Sequence, residues 1–376
     1  MKIGIVKEVL KGEARVAATP ETVKKMVALN QSVFIEKNAG LGASISDDEY
    51  KNNGAEIVTR DIVLQCDLLL MVRPLDIEEI KTLNSKQFIV GMLEPFNSKL
   101  QAQINNQGVN AFALESLPRN TRAQSMDVLS SQANIAGYKA VILAADYYKK
   151  FMPMLMTAAG TVKAAKVMIL GAGVAGLQAI ATAKRLGAVV EASDVRPSVK
   201  EQIESLGGKF IDVPFETEEE KECAKGEGGY AKPMPKSWLT RQSKIVAEKA
   251  ILADIIITSA LIPGKAPPQL LSKETIKKMK YGSVIVDMAA GSGPDGSGNC
   301  PLTQDDKIIH EENVTIIGLN NLPSTLSTDA SALYARNILE FIKLLLNESG
   351  NLFINKEDEL VTETLITKNK SKKGQQ

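Results

Sequence analysis

Short apolar runs, separated by polar stretches with helical spacing, recur along the whole chain. In the first third, residues 3–6, 32–36, 68–72, 88–92 and 111–114 are of strand length and carry β-branched or aromatic members. Residues 20–29 have helical spacing, with Thr19 as N-cap and Pro20 at the first helical position, where a missing N–H costs nothing. Strands that alternate with helices predict a parallel α/β sheet. The alternation resumes at residues 167–170, 189–192, 208–213, 255–259, 283–287 and 314–318. A long helix over about 130–151 carries Ile135, Tyr138, Val141, Ile142 and Ala145 on one face and is expected to bridge two domains. Another begins near Asp329, with Tyr334, Ile338, Phe341, Ile342 and Leu345 at helical spacing, and is expected to return to the first domain. The predicted architecture is α/β: two Rossmann-like domains with parallel sheets. The first comprises residues 1–128 plus 325–376, completed by the C-terminal helix, and the second residues 129–324.

One stretch adds chemistry to this pattern. The run 167–170 leads into Gly171-Ala172-Gly173-Val174-Ala175-Gly176, a G-x-G-x-x-G sequence, and then into a helical pattern. The first glycine permits a tight turn, the second lets backbone approach a pyrophosphate, and the third lets helix and strand pack closely. The N–H groups and dipole of the helix start then face the phosphates. A second strand follows, and Asp194 lies at its end, about 20 residues past the first glycine, where an acid accepts hydrogen bonds from the adenosine ribose. Val195 and Arg196 come next as candidate contacts. The carboxylate favours NAD(H), whereas an arginine so close is of the kind that accommodates NADP. Ala260 and Leu261 follow another strand and are suited to lining the cofactor cleft.

Other candidates lie on loops. Residues 119–131 are polar and follow a strand, on the edge where α/β sheets bind ligands. Within them Asp127 and Ser130 fit either a binding role or plain helix capping. Arg15, in the first βα connection, suits a substrate carboxylate or, in the reading favoured here, the capping of a surface loop. The stretch 214–238 reads as a long polar loop in which Tyr230, flanked by glycines, is placed to close over a ligand or simply to sit in solvent. Residues 291–299 read as a flexible surface loop and 368–376 as a disordered basic end.

Composition narrows the classes. A net charge of +1 argues against nucleic-acid binding through bulk charge. Cys66, Cys223 and Cys300 are far apart and form no C-x-x-C, so neither zinc site nor disulfide framework is expected, and the compartment is expected to be reducing. No apolar run approaches the ~20 residues that span a bilayer. The start of the chain reads as a strand rather than a signal segment, so a cytoplasmic protein is expected. The single histidine, His310, is expected on the surface, away from strand C-termini. A dehydrogenase acting on a hydroxyl or amine needs an acid–base partner, most often histidine or lysine. Hydride transfer between two nicotinamides needs only orientation and close approach.

Four segments carry a family resemblance: Arg122 through Gln132, Met156 through Val162, Gly171 through Ala188, and Gly229-Tyr230-Ala231-Lys232. Together they resemble domain I, the NAD(H)-binding component of the alpha subunit of proton-translocating, Re/Si-specific NAD(P) transhydrogenase, over nearly the whole chain. The related alanine dehydrogenase family shares the Arg-Val-Ala-x-Thr-Pro opening, here Arg15 to Pro20. The resemblance implies NAD(H) bound by this chain in a nucleotide cleft between its two domains and NADP(H) bound by a partner component, with direct hydride transfer between them. It implies that Arg119 and Asp127 with Ser130 orient the nicotinamide, that Gln124 reaches toward the partner's nucleotide, and that Tyr230 closes on the bound nucleotide. It further implies a homodimer, docked with membrane-spanning subunits on the cytoplasmic face of the inner membrane. The alternative is an alanine dehydrogenase-like amino-acid oxidoreductase. That family carries lysine and histidine near strand ends matching Met71-Val72-Arg73-Pro74 and Gly91-Met92-Leu93-Glu94-Pro95, and this chain has neither there.

Overall fold

Buried strands here carry apolar side chains on both faces because each faces two cores. In the computed structural model, which describes residues 1–225, 234–262, 264–293 and 296–367, the chain divides into two compact units. One is Met1–Gln132 with the chain from Pro323 onward, the other Ala133–Leu322.

The first unit is built on six strands: β1 (Lys2–Ile5), β2 (Ser32–Glu36), β3 (Ala55–Val58), β4 (Leu68–Leu70), β5 (Phe88–Gly91) and β6 (Asn110–Ala113). All pair in parallel, in the order β3-β2-β1-β4-β5-β6, with Ile3 opposite Val33 and Leu68. Successive side chains point to opposite faces of a strand. Leu68 and Leu70 accordingly join the core with Ile3, Tyr334 and Phe341, while Leu69 joins the opposite core with Ile89 and Ile104. The helix Ser327–Lys343 buries Tyr334, Ile338, Phe341 and Ile342 in the first of these cores. The strand β3 is an addition to the sequence reading.

The second unit holds an exposed hairpin, β7 (Leu155–Thr157) with β8 (Gly160–Val162), and a seven-stranded sheet. The sheet comprises β9 (Lys166–Leu170), β10 (Val189–Ser193), β11 (Lys209–Phe210), β12 (Ile255–Thr258), β13 (Ser283–Asp287), β14 (Ile308–Glu311) and β15 (Val314–Ile317). Its order is β11-β10-β9-β12-β13-β15-β14. Chain order reverses at β9, between β10 and β12, which in an open α/β sheet is where ligands bind. Val167 and Ile169 face one core and Met168 and Leu170 the other.

Three expectations need correction or refinement, and that for His310 holds. The second sheet is not wholly parallel, since β14 pairs antiparallel with β15. His310, expected on the surface, is exposed on that edge strand, its Nδ1 3.0 Å from Thr315 Oγ1. The strand expected over 208–213 shrinks to Lys209–Phe210. The stretch read as one polar loop holds a helix, Glu218–Lys225, and the start of another, Lys236–Ala250. Glu220 explains the first of these, because its carboxylate is buried against Arg241 and Ser237 of the second helix. Among the described residues no helix is long and apolar enough to cross a membrane.

Candidate nucleotide-binding site

The site begins where β9 ends. The chain turns at Gly171 with φ of +96°, a conformation that side chains rarely adopt. Gly173 is the N-cap of the helix Val174–Arg185, and among the described residues no side chain caps this start. The first-turn N–H groups lack intrahelical partners, so with the helix dipole they suit an anion such as a pyrophosphate. A Cβ on Gly176 would lie 1.9 Å from the Gly171 carbonyl oxygen, so only glycine lets the helix sit this close to the turn. Ala172 is buried, Ala175 half-buried and Val174 exposed.

Asp194 follows β10 and closes the turn from the other side. Its Oδ2 accepts the Ala172 N–H at 2.8 Å, and its Oδ1 accepts the Arg196 N–H at 2.8 Å. The Arg196 guanidinium grips both oxygens at 2.9 Å. Burial works against the charge of this carboxylate, but Arg196 and the backbone donors outweigh burial and hold its pKa below the usual range. Asp194 thus ties the glycine turn to the end of β10 and has Arg196 as neutralising partner. The same pair places beside the turn both the acid suited to ribose hydroxyls and the cation suited to an added phosphate.

A cavity of about 250 Å³ opens beside Asp194, lined by Val195, Lys200, Phe210, Phe215 and Trp238 among others. Phe215 and Trp238 stack with ring centroids 5.9 Å apart. These aromatic walls were not singled out from the sequence, although Trp238 is the chain's only tryptophan. On the other side of the turn, Ser259 donates its N–H to Leu170 O and its hydroxyl to Gly171 O, both at 2.9 Å. This brings Ala260, half-buried, next to the turn, with Leu261 exposed beyond it. Tyr230 lies outside the described residues.

The polar loop belongs to the first unit. Its segment Thr121–Met126 is a 3₁₀ turn started by Asn120, whose Oδ1 accepts the Ala123 N–H at 3.0 Å. Ala123 and Met126 are buried and anchor it, and Asn337 donates to the Ser125 carbonyl at 2.7 Å. Arg119 and Gln124 are exposed. Asp127 caps the helix Val128–Tyr147, accepting the Ser130 N–H at 2.9 Å and the Ser130 hydroxyl at 2.5 Å. Capping is therefore realised, and it fixes both side chains in one hydrogen-bonded pair.

Arg15 departs from the surface-loop reading. It is only 2% exposed, and its guanidinium binds Glu13 at 2.6 Å and Gln132 Oε1 at 2.8 Å. Gln132 donates in turn to Ala330 O at 3.0 Å. A buried cation needs such partners to offset its lost hydration. Glu8 nearby accepts the N–H groups of Val72 and Arg73, and burial pushes its carboxyl up to about 7. Among the described residues no group of histidine, cysteine or carboxylate side chains is arranged to hold a metal.

A glycine turn at the reversal point of a mostly parallel sheet, closed by an acid at the end of the next strand, defines a Rossmann-type dinucleotide-binding protein. Residues 4–136 match the model of the alanine dehydrogenase/PNT N-terminal domain, and residues 140–373 that of the C-terminal domain. The chain belongs to this family. It is 46% identical over 379 aligned residues to the first-part polypeptide of NAD(P) transhydrogenase subunit alpha from Rhodospirillum rubrum, covering 98% of this chain and 96% of that one. It is 30% identical to alanine dehydrogenase 1 of Staphylococcus aureus, over 91% of this chain and 87% of that one. Its fold matches the crystal structure of transhydrogenase from Sinorhizobium meliloti with a TM-score of 0.87, 42% identity and 98% coverage of both chains. Among these relatives, transhydrogenase stands nearer than alanine dehydrogenase.

Proposed function

We propose that this chain is the NAD(H)-binding catalytic subunit of a proton-translocating NAD(P) transhydrogenase. The observation that carries this reading is the closed unit formed by Gly171, Ala172, Asp194 and Arg196 at the reversal point of the sheet. It is supported by the 46% identity to a transhydrogenase alpha polypeptide along almost the entire chain.

In this reading the pyrophosphate sits on the N–H groups that begin the helix Val174–Arg185, and Asp194 accepts from the adenosine ribose. Val195 and the aromatic cavity take the base, and Ala260 and Leu261 line the nicotinamide half. Asp127 and Ser130, already paired, orient the ring and its carboxamide together with Arg119, and Gln124 faces the second nucleotide. Tyr230 closes over the bound nucleotide. NADP(H) is held by a partner component, and hydride passes directly to it, so this chain supplies position rather than a proton carrier. The chain acts as a homodimer, with the exposed apolar side chains Met154, Leu155, Met156 and Val162 around the β7–β8 hairpin as a surface suited to burial. It docks peripherally, on the cytoplasmic face of the inner membrane, with the membrane-spanning subunits of the complex.

The direct test is calorimetric titration of the full chain with NADH and NADPH, followed by assay with alanine and NAD. The reading expects NADH to bind in preference to NADPH and no steady turnover of alanine. Ammonia release from alanine at an ordinary enzymatic rate would favour the alanine dehydrogenase alternative instead.

A further inference from the structure

The strand end that flanks the glycine turn is held by a side chain from a distant loop. Asn299 is fully buried, with 0% exposure. Its Oδ1 accepts the Ala260 N–H at 3.0 Å, and its Nδ2 donates to Ala260 O at 2.9 Å and to Pro268 O at 2.8 Å. One amide side chain thereby satisfies both polar backbone groups of Ala260, much as a neighbouring strand would.

This clamp is anchored on the sheet. Cys300, the next residue, donates its N–H to Asp287 Oδ2 at 2.9 Å. Asp287 ends β13 and is fully buried, and it also accepts from Thr258 Oγ1 at 2.9 Å, Thr303 Oγ1 at 2.8 Å and the Ala289 N–H at 3.0 Å. Thr258 in turn ends β12. The loop read from sequence as flexible surface thus ends in a fully bonded brace between two strand ends. On its other side, Ser259 links the same backbone to Gly171.

The strand order gives this brace a direction. In a doubly wound dinucleotide sheet the two mononucleotide halves lie on opposite sides of the first strand. Asp194 follows β10 on one side of β9, and Ala260 follows β12 on the other. We infer that Asn299 is a positioning residue that sets the Ala260 backbone for the nicotinamide half of the nucleotide. This rests on the NAD(H) reading above. Because Asn299 occupies both polar groups of Ala260, the surface offered there is apolar, the Ala260 methyl followed by Leu261. Beyond the clamp the side chains face outward, with Leu261 47% and Ile262 43% exposed. Removing the amide leaves this strand end tethered through Ser259.

The experiment is calorimetry on the full chain with NADH and with AMP, which carries only the adenosine half. Asn299→Ala is expected to raise the Kd for NADH about tenfold or more while the Kd for AMP stays within about twofold, a loss confined to one half of the ligand. Asn299→Asp supplies a second readout. Its ionised form keeps an acceptor for the Ala260 N–H but loses both donors, and protonation restores one. Its NADH affinity is therefore expected to improve from pH 8 to pH 6 relative to wild type. Equal losses for AMP and NADH, or no loss for either, overturn the inference. If Asn299→Ala does not fold by circular dichroism, the Asn299→Asp series decides, and a pH response no different from wild type overturns it. Wild-type chain without NADH affinity would instead remove the reading beneath, and it is recognised before any substitution is made.

Discussion

Replacing Asp194 with alanine probes the site at its hinge, because one carboxylate serves the turn, the arginine and the proposed ribose contact. In the structure it accepts the N–H groups of Ala172 and Arg196 at 2.8 Å and two guanidinium N–H groups of Arg196 at 2.9 Å. Asp194→Ala leaves the buried Ala172 N–H without its acceptor and takes the carboxylate away from a guanidinium that is 22% exposed. Losing these hydrogen bonds costs about 1–3 kcal/mol of unfolding free energy. Since the folded pKa of Asp194 is depressed, this stability is present above the ordinary carboxyl range, near pH 4, and is lost as pH falls through the folded value. Losing a charged acceptor for the ribose hydroxyls costs a further ~1–3 kcal/mol in binding, roughly 5- to 150-fold in the Kd for NADH. With the carboxylate gone, a 2′-phosphate on the ribose no longer meets a negative charge there, so the preference for NADH over NADPH should narrow as well. Calorimetry with both nucleotides at neutral pH, on protein shown folded by circular dichroism, measures each effect. Folded Asp194→Ala that binds NADH as tightly as wild type would refute the assignment of this carboxylate to the nucleotide.

Three further substitutions separate other parts of the account. Gln124 is exposed, so Gln124→Asn should leave stability and NADH affinity nearly unchanged. In the reconstituted complex it should slow hydride transfer, by up to about 100-fold if it misplaces the second nucleotide by an ångström, as single-turnover kinetics would show. Gly176→Ala places a methyl group against Gly171 O, and should cost about 1–3 kcal/mol in urea unfolding and weaken NADH binding together. Glu8 has its folded pKa raised to about 7, so its contribution to stability is fully present below the ordinary carboxyl range and is lost as pH rises toward 7. The melting temperature of Glu8→Gln should therefore gain on wild type between pH 5 and pH 8, and a constant difference would show that Glu8 is not held in this way.

The elements that could be read from the chain are those whose burial imposes a pattern. The strands β4, β9, β12 and β13 are buried on both faces and appear as uninterrupted apolar runs. The glycine turn was legible because its chemistry is local, with strand, glycines, helix and acid in order. The strands β7, β8 and β14 carry little buried surface, so no alternation marks them. The strand β3 has Glu56 exposed in its middle, and the helix Glu218–Lys225 is almost wholly charged, which hides one in apparent loop and the other in apparent solvent. Arg15 was misplaced for a different reason. Its partner Gln132 lies 117 residues away, and such a pairing leaves no trace in local composition. The Asn299 clamp, spanning 39 residues, was hidden in the same way within a glycine-rich segment.

The central claim is that this chain presents the nicotinamide of NADH directly to a second nucleotide, with no exchange of the hydride along the way. Its most direct measurement uses NADH deuterated at the transferred position on C4, with the full chain and its NADP⁺-loaded partner component, and mass spectrometry of the NADPH formed. The account predicts that the deuterium arrives in NADPH without loss to water. Deuterium appearing in solvent, or no transfer to NADP⁺ from a chain that oxidises alanine by itself, would contradict it.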